Sequence, residues 1–99
     1  MLHAADLSYQ VGYGDTVEII IESPYLLGKF RNPDRSIQVV RPDGKLTTPL
    51  IGADVLAVGR TVEKIQEDME RAFAPKNPWN MPVEVVVYVL EQHDINHQP

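Results

Sequence analysis

The 99-residue chain contains no cysteine. Disulfides, thiolate metal sites, cysteine nucleophiles and a lipid-anchoring cysteine are therefore excluded within this sequence. No apolar run approaches the roughly 18–20 residues that a membrane-crossing helix needs. The longest, Val85–Leu90, has the length of a strand, so no membrane insertion is expected from this segment. The opening Met1-Leu2-His3-Ala4-Ala5 lacks the charged and apolar stretches of a signal peptide. The chain is then either cytosolic or a piece of a protein whose targeting signal lies outside this sequence. Positive charge is scarce as well. Nine Lys and Arg stand against fourteen Asp and Glu, for a net charge of −5, and none of the basic residues forms a run. Phosphate recognition needs a basic patch, which argues against nucleic acid as a partner. Internal repeats and low-complexity tracts are also missing.

What remains is ordinary for a globular domain: 43 % hydrophobic and 23 % charged residues, in a length that holds one core. The first element is a strand at Thr16–Glu22, where Val17, Ile19 and Ile21 alternate with polar residues. Ile20 interrupts the polar face, which predicts cover on both sides. Gly12-Tyr13-Gly14-Asp15 reads as a tight turn into this strand. Ser23–Arg35 carries the breakers Pro24, Gly28, Pro33 and Asp34 and reads as a loop. Its large apolar groups Tyr25, Leu26, Leu27 and Phe30 predict packing on the domain or a neighbour.

A hairpin is expected next, with Ile37–Arg41 and Lys45–Leu50 flanking the turn residues Pro42-Asp43-Gly44. Pro49 belongs at a strand end or sheet edge, because it cannot donate to a ladder. A short extended piece follows at Asp54–Val58 and ends at Gly59. Thr61 then caps a helix whose Val62, Ile65, Met69, Ala72 and Phe73 recur at helical spacing. Pro75 and Pro78 terminate it. The Val-rich segment Met81–Leu90 reads as a central strand, and Glu91–Pro99 as a frayed polar tail. The fold class expected is α+β: a small mixed β-sheet with a β-hairpin, covered by one main α-helix. The organisation is a lead-in over 1–8, the domain over 9–90 and the tail over 91–99.

Candidate chemistry is thin. Gly12-x-Gly14 precedes a strand instead of a helix N-terminus, so it does not form a phosphate cradle. His93, Asp94 and His97 lie in a polar tail without groups to orient them as metal ligands. Asp15 and Asp43 each sit beside glycine in a turn, where Asp serves local backbone bonds. Trp79, Tyr13, Tyr25 and Tyr88 offer a possible aromatic platform for sugar rings, although such residues more often pack cores and interfaces. No catalytic, metal or cofactor site is expected.

Tyr9-Gln10-Val11-Gly12-Tyr13-Gly14-Asp15-Thr16-Val17-Glu18-Ile19 resembles the opening Y-x-(I/V)-G-x-G-D-x-(L/V)-x-I of the polysaccharide biosynthesis/export family, as in Wza-type channels. Val40-Arg41-Pro42-Asp43-Gly44-Lys45-Leu46-Thr47-Thr48-Pro49-Leu50-Ile51-Gly52 is similar to the family's V-x-P-D-G hairpin. Val58-Gly59-Arg60-Thr61-Val62-Glu63 resembles its helix entry, with the glutamate one place early, and Pro78–Leu90 its closing strand. Two segments depart from the pattern: a longer loop between Glu22 and Ile37, and an extra Trp79-Asn80-Met81.

The resemblance implies a non-enzymatic periplasmic domain of a capsular or exopolysaccharide export channel, on the periplasmic face of the Gram-negative outer membrane. It implies a homo-oligomeric ring in the full-length protein, an inner-membrane polysaccharide co-polymerase as partner, and polysaccharide as cargo. Family members continue into SLBB-type sugar-channel domains and often a C-terminal membrane-spanning helix. This chain resembles the export domain alone, excised or as a short protein. The alternative is a soluble sugar-binding or adaptor domain contacting the same machinery. Gly12, Gly14, Asp15, Pro42, Asp43, Gly44, Pro49, Gly52, Gly59 and Thr61 carry the family motifs and are expected to be structural. Tyr25, Phe30 and Trp79 are the expected interface or sugar contacts.

Overall fold

The computed structural model describes residues 8–22, 34–76 and 83–93. Its elements are β1 (Thr16–Glu22), β2 (Asp34–Val39), β3 (Lys45–Thr47), β4 (Asp54–Leu56), α1 (Val62–Phe73) with a 3-10 turn at Ala74–Lys76, and β5 (Glu84–Glu91). The fold is α+β: an antiparallel sheet and a hairpin packed with one helix.

The three-stranded sheet runs β2-β1-β5, and both pairings are antiparallel. β1 takes the centre because it is buried on both faces. Val17, Ile19 and Ile21 point into the core, and Ile20, only 8 % exposed, lies on the other side between Arg35 and Val86. The cover expected around Ile20 is therefore present. β5 was the strand expected at the centre. Among the described residues it lies at an edge instead, with β1 as its single strand neighbour, and its second face carries the exposed Tyr88 and Leu90. A run of apolar residues reports what a strand could bury, but its place in a sheet depends on which neighbours arrive.

The expected hairpin is also redistributed. Pro42-Asp43-Gly44 does turn the chain, with the Gly44 amide donating to the Arg41 carbonyl at 2.8 Å and the Arg41 amide to the Lys45 carbonyl at 3.3 Å. Beyond that rung the arms part. β2 pairs with β1, and β3 pairs with β4 over Lys45↔Leu56, Leu46↔Val55 and Thr47↔Asp54. The Gln38 side chain spans the gap, because Nε2 donates to the Thr47 carbonyl at 2.7 Å and Oε1 accepts from the Thr47 amide at 2.9 Å. A primary amide presents the donor and acceptor of a peptide unit, so one side chain does the work of a missing strand rung. All strand pairings among the described residues are antiparallel, where a mixed sheet was expected.

The helix follows its sequence closely. Thr61 is extended, and its hydroxyl accepts from the Lys64 amide at 3.3 Å, which satisfies one of the unpaired N–H groups of the first turn. Ile65, Met69 and Phe73 form the buried stripe. They meet Val11, Ile19, Ile21, Leu46, Val85 and Val87 in a single core. Full burial of each large side chain contributes about 1.5–3 kcal/mol.

Candidate functional site: the Asp15 junction and the turns around it

The family-motif residues converge on backbone. Asp15 sits one residue before β1, and a polar group so placed should face water. It is 1 % exposed, and a carboxylate can be buried at that level only if its lone pairs are used. Oδ2 accepts from the Tyr9 hydroxyl and from the Gly12 amide at 2.9 Å, and Oδ1 accepts from the His93 amide at 2.7 Å. One side chain thus ties Tyr9, the turn and the exit of β5 to the entry of β1. β5 runs through Glu91 and His93 is held here, so this part of the 91–99 segment is attached to the fold. Burial, and then the bond to Asp15, push the Tyr9 phenol well above its ordinary range.

Gly14 is fitted to this junction. Its φ is +78°, and a Cβ there would lie 2.9 Å from Cγ of His93. Its amide donates to the Val40 carbonyl at 3.1 Å, and the Asp15 carbonyl accepts from the Val40 amide at 2.9 Å. The turn therefore continues the β1–β2 pairing. Gln10 and Val11 pair with the loop before α1: Val11 donates to the Arg60 carbonyl and accepts from the Gly59 amide, both at 2.8 Å.

The Pro42-Asp43-Gly44 turn is a second junction. Asp43 Oδ1 accepts from the Lys45 amide at 3.0 Å, closing the turn on its own backbone. Arg41 forks onto Asp43 at 3.2 and 3.1 Å, reaches Asp54 at 2.9 Å, and donates to the Thr47 hydroxyl at 3.0 Å. The bonds from Arg41 hold both carboxyls below the usual carboxylate range. Gly44, at φ +80°, packs under Val58, and its carbonyl accepts from the Ala57 and Val58 amides at 2.8 and 3.0 Å. Pro49 and Gly52 lie in the connection from β3 to β4, where the Gly52 amide donates to the Thr48 carbonyl at 2.9 Å. That connection holds Leu50 at φ +74°.

A third cluster lies on α1. Asp68 meets Arg71 at 2.9 Å, Arg60 at 3.3 Å and Lys64 at 3.4 Å. Burial raises the Asp68 carboxyl, but the bonds from Lys64 and Arg71 outweigh it and leave the group low.

Asp15 and Asp43 serve separate junctions with separate hydrogen-bond partners, and do not form an acid/base pair. Among the described residues no group of three or more His, Asp or Glu could hold a metal ion. Asp94 and His97 lie outside them, as do Tyr25, Phe30 and Trp79. Tyr13 and Tyr88 are about half exposed, on the first turn and on the open face of β5. Sequence reasoning did not find Gln38 or the reach of Asp15 to His93. A lone amide in a strand and a contact across 78 residues leave no local pattern to read. No helix of the described residues is long and apolar enough to cross a membrane.

No curated protein and no solved structure matches this chain. A family model does, over nearly the whole length. It spans the Tyr9–Ile19 block, the Pro42-Asp43-Gly44 turn, the helix entry and β5 as far as Leu90. With residues 3–90 matched by the model of polysaccharide biosynthesis/export proteins, the chain belongs to that family.

Proposed function

We propose that this chain is the periplasmic domain of a polysaccharide export channel, a structural and oligomerisation module for moving capsular or exopolysaccharide across the outer membrane. The observation that carries this is the family match over residues 3–90. The use of the motif residues agrees with it: Asp15 and Asp43 are occupied by backbone and by neighbours within the fold. Carboxylates consumed by turns are poorly placed for proton transfer, because a catalytic group needs an open position for substrate. In this reading the domain performs no chemistry. It forms part of a homo-oligomer in the full-length protein, faces an inner-membrane co-polymerase, and lines the path of the passing polymer.

The test is genetic. Removing the segment encoding this domain from a polysaccharide-producing strain should abolish surface polysaccharide while polymer is still made. Normal surface polysaccharide would refute the export role. Titration of the 99-residue chain with oligosaccharide separates the adaptor alternative. Binding at millimolar or tighter affinity, lost in Trp79→Ala, is the result that reading requires.

A further inference from the structure

The connection from β3 to β4 holds a side chain that its backbone does not suit. Among the described residues Leu50 is the only one other than glycine with a positive φ, at +74°. A β-carbon there crowds the following carbonyl oxygen, and glycine or asparagine takes this conformation with less strain. The turn around it is well tied. The Thr48 amide donates to the Ala53 carbonyl at 2.7 Å and the Gly52 amide to the Thr48 carbonyl at 2.9 Å. Thr48 is fully buried and Ile51 packs against the core. Leu50 gains less, being 51 % exposed. Backbone strain that burial within the domain does not offset marks a place where the side chain acts on something else. No residue from Thr48 to Ala53 is charged, so the tip is apolar and neutral.

A second apolar surface lies on the face of the three-stranded sheet turned away from the core. Ile37 and Tyr88 stand on either side of Glu18 in the cross-strand register, and Val39 stands beside Thr16. Ile37, Tyr88 and Val39 are all exposed. The same face carries Glu18, Glu22 and Glu84 against one cation, Arg35. Two copies of this face set against each other would oppose like charges, which costs affinity. A neutral apolar tip meets no such repulsion. We propose that the Pro49-Leu50-Ile51 turn of one copy docks on this sheet face of the next. Leu50 lies between Ile37 and Tyr88, over the stem of Glu18, whose carboxylate is drawn aside toward Arg35 at 3.8 Å.

The two surfaces differ, so the contact is head-to-tail. Each added copy presents a further turn and a further face, and successive copies close into a ring where the rotation allows it. The inference rests on the homo-oligomer of the proposed function and names the surfaces that build it. One turn against three side chains buries far less than the roughly 1,600 Å² of a standard stable interface. Association of the isolated chain is therefore weak and calls for high protein concentration.

Complementation between two variants tests this. At millimolar concentration the parent chain should self-associate in sedimentation equilibrium. Leu50→Asn removes the apolar tip and suits the left-handed backbone, so it should be monomeric yet melt no lower than the parent. Tyr88→Glu keeps the tip and spoils the face, and should also be monomeric. Ile37→Glu takes its place if circular dichroism shows that Tyr88→Glu fails to fold. Mixed in equal amounts, the tip variant and the face variant should form a heterodimer, because one supplies the face and the other the tip. A parent chain that stays monomeric, or a mixture that does, would overturn the proposal. So would a Leu50→Asn chain that associates like the parent, which would indicate face-on-face pairing. A lower melting temperature for Leu50→Asn would overturn it too, because the leucine would then serve its own domain. Flotation of the parent chain with phosphatidylcholine vesicles, lost in Leu50→Asn, would assign the tip to lipid instead. The export reading is decided separately by deletion of the domain, so the two can fail independently.

Discussion

Replacing Asp15 should destabilise the domain more than its size suggests. The residue is a small carboxylate at a turn, yet it is buried and receives three hydrogen bonds, from the Tyr9 hydroxyl and the Gly12 and His93 amides. In Asp15→Ala these donors lose their acceptor in a place that water reaches poorly. Each buried, unsatisfied donor costs about 1–3 kcal/mol. Neighbouring groups relax together, so the three do not add fully, and a total of about 3–5 kcal/mol is expected. A domain of this size loses roughly 4–8 °C in Tm per kcal/mol. Asp15→Asn should recover only part of the loss, because either orientation of the amide sets its NH₂ against a backbone N–H. Tyr9→Phe removes one bond and leaves two, for about 1–2 kcal/mol. Urea denaturation at pH 7, with the midpoint shifted and the slope unchanged, is the measurement. A loss below about 1 kcal/mol for Asp15→Ala would refute the junction as described.

Three further perturbations test other parts of the fold. Gly14→Ala combines a left-handed backbone with a Cβ 2.9 Å from the His93 ring. It should cost distinctly more than Gly52→Ala, where φ is +68° but the space is open. The Gly52 change should cost about 1 kcal/mol, and equal losses in thermal melts would contradict the close packing at His93. Gln38→Ala leaves the Thr47 amide and carbonyl without their partner and should cost about 1–3 kcal/mol. Faster amide exchange at Thr47 would be its specific mark. Asp43 and Asp54 titrate below their usual range because Arg41 bonds them. Their contribution is therefore full above the unfolded carboxyl pKa and is lost as pH falls through the lower folded values. Acid titrations should show Arg41→Ala with a shallower loss of stability below about pH 4 than the parent chain. An identical acid slope would mean that these ion pairs add nothing.

The elements whose cause is local were legible from the residues alone. The helix over Val62–Phe73 follows from apolar spacing and the Thr61 cap, both contained within a dozen residues. β1 matches its expected span, and Pro42-Asp43-Gly44 turns as its composition requires. The family is legible for the same reason, because its motifs are turn residues, which only a narrow set of side chains can fill.

Strand partners were not legible. Ile37–Arg41 and Lys45–Leu50 carry every sign of a hairpin, yet their strands leave for β1 and β4, and Val40, Leu46 and Ala57 come to share one core. β5 reads as central from its valines, but no second strand among the described residues pairs with it beside β1. The Asp15–His93 bond joins residues 78 apart, and the Gln38 bridge depends on where two sheets come to rest. Periodicity and turn chemistry act over a few residues, so the sequence alone determined which segments are helix, strand and turn. Pairing, edges and the burial of Asp15 were decided only when distant segments competed for one core, where the free energy belongs to the assembled fold.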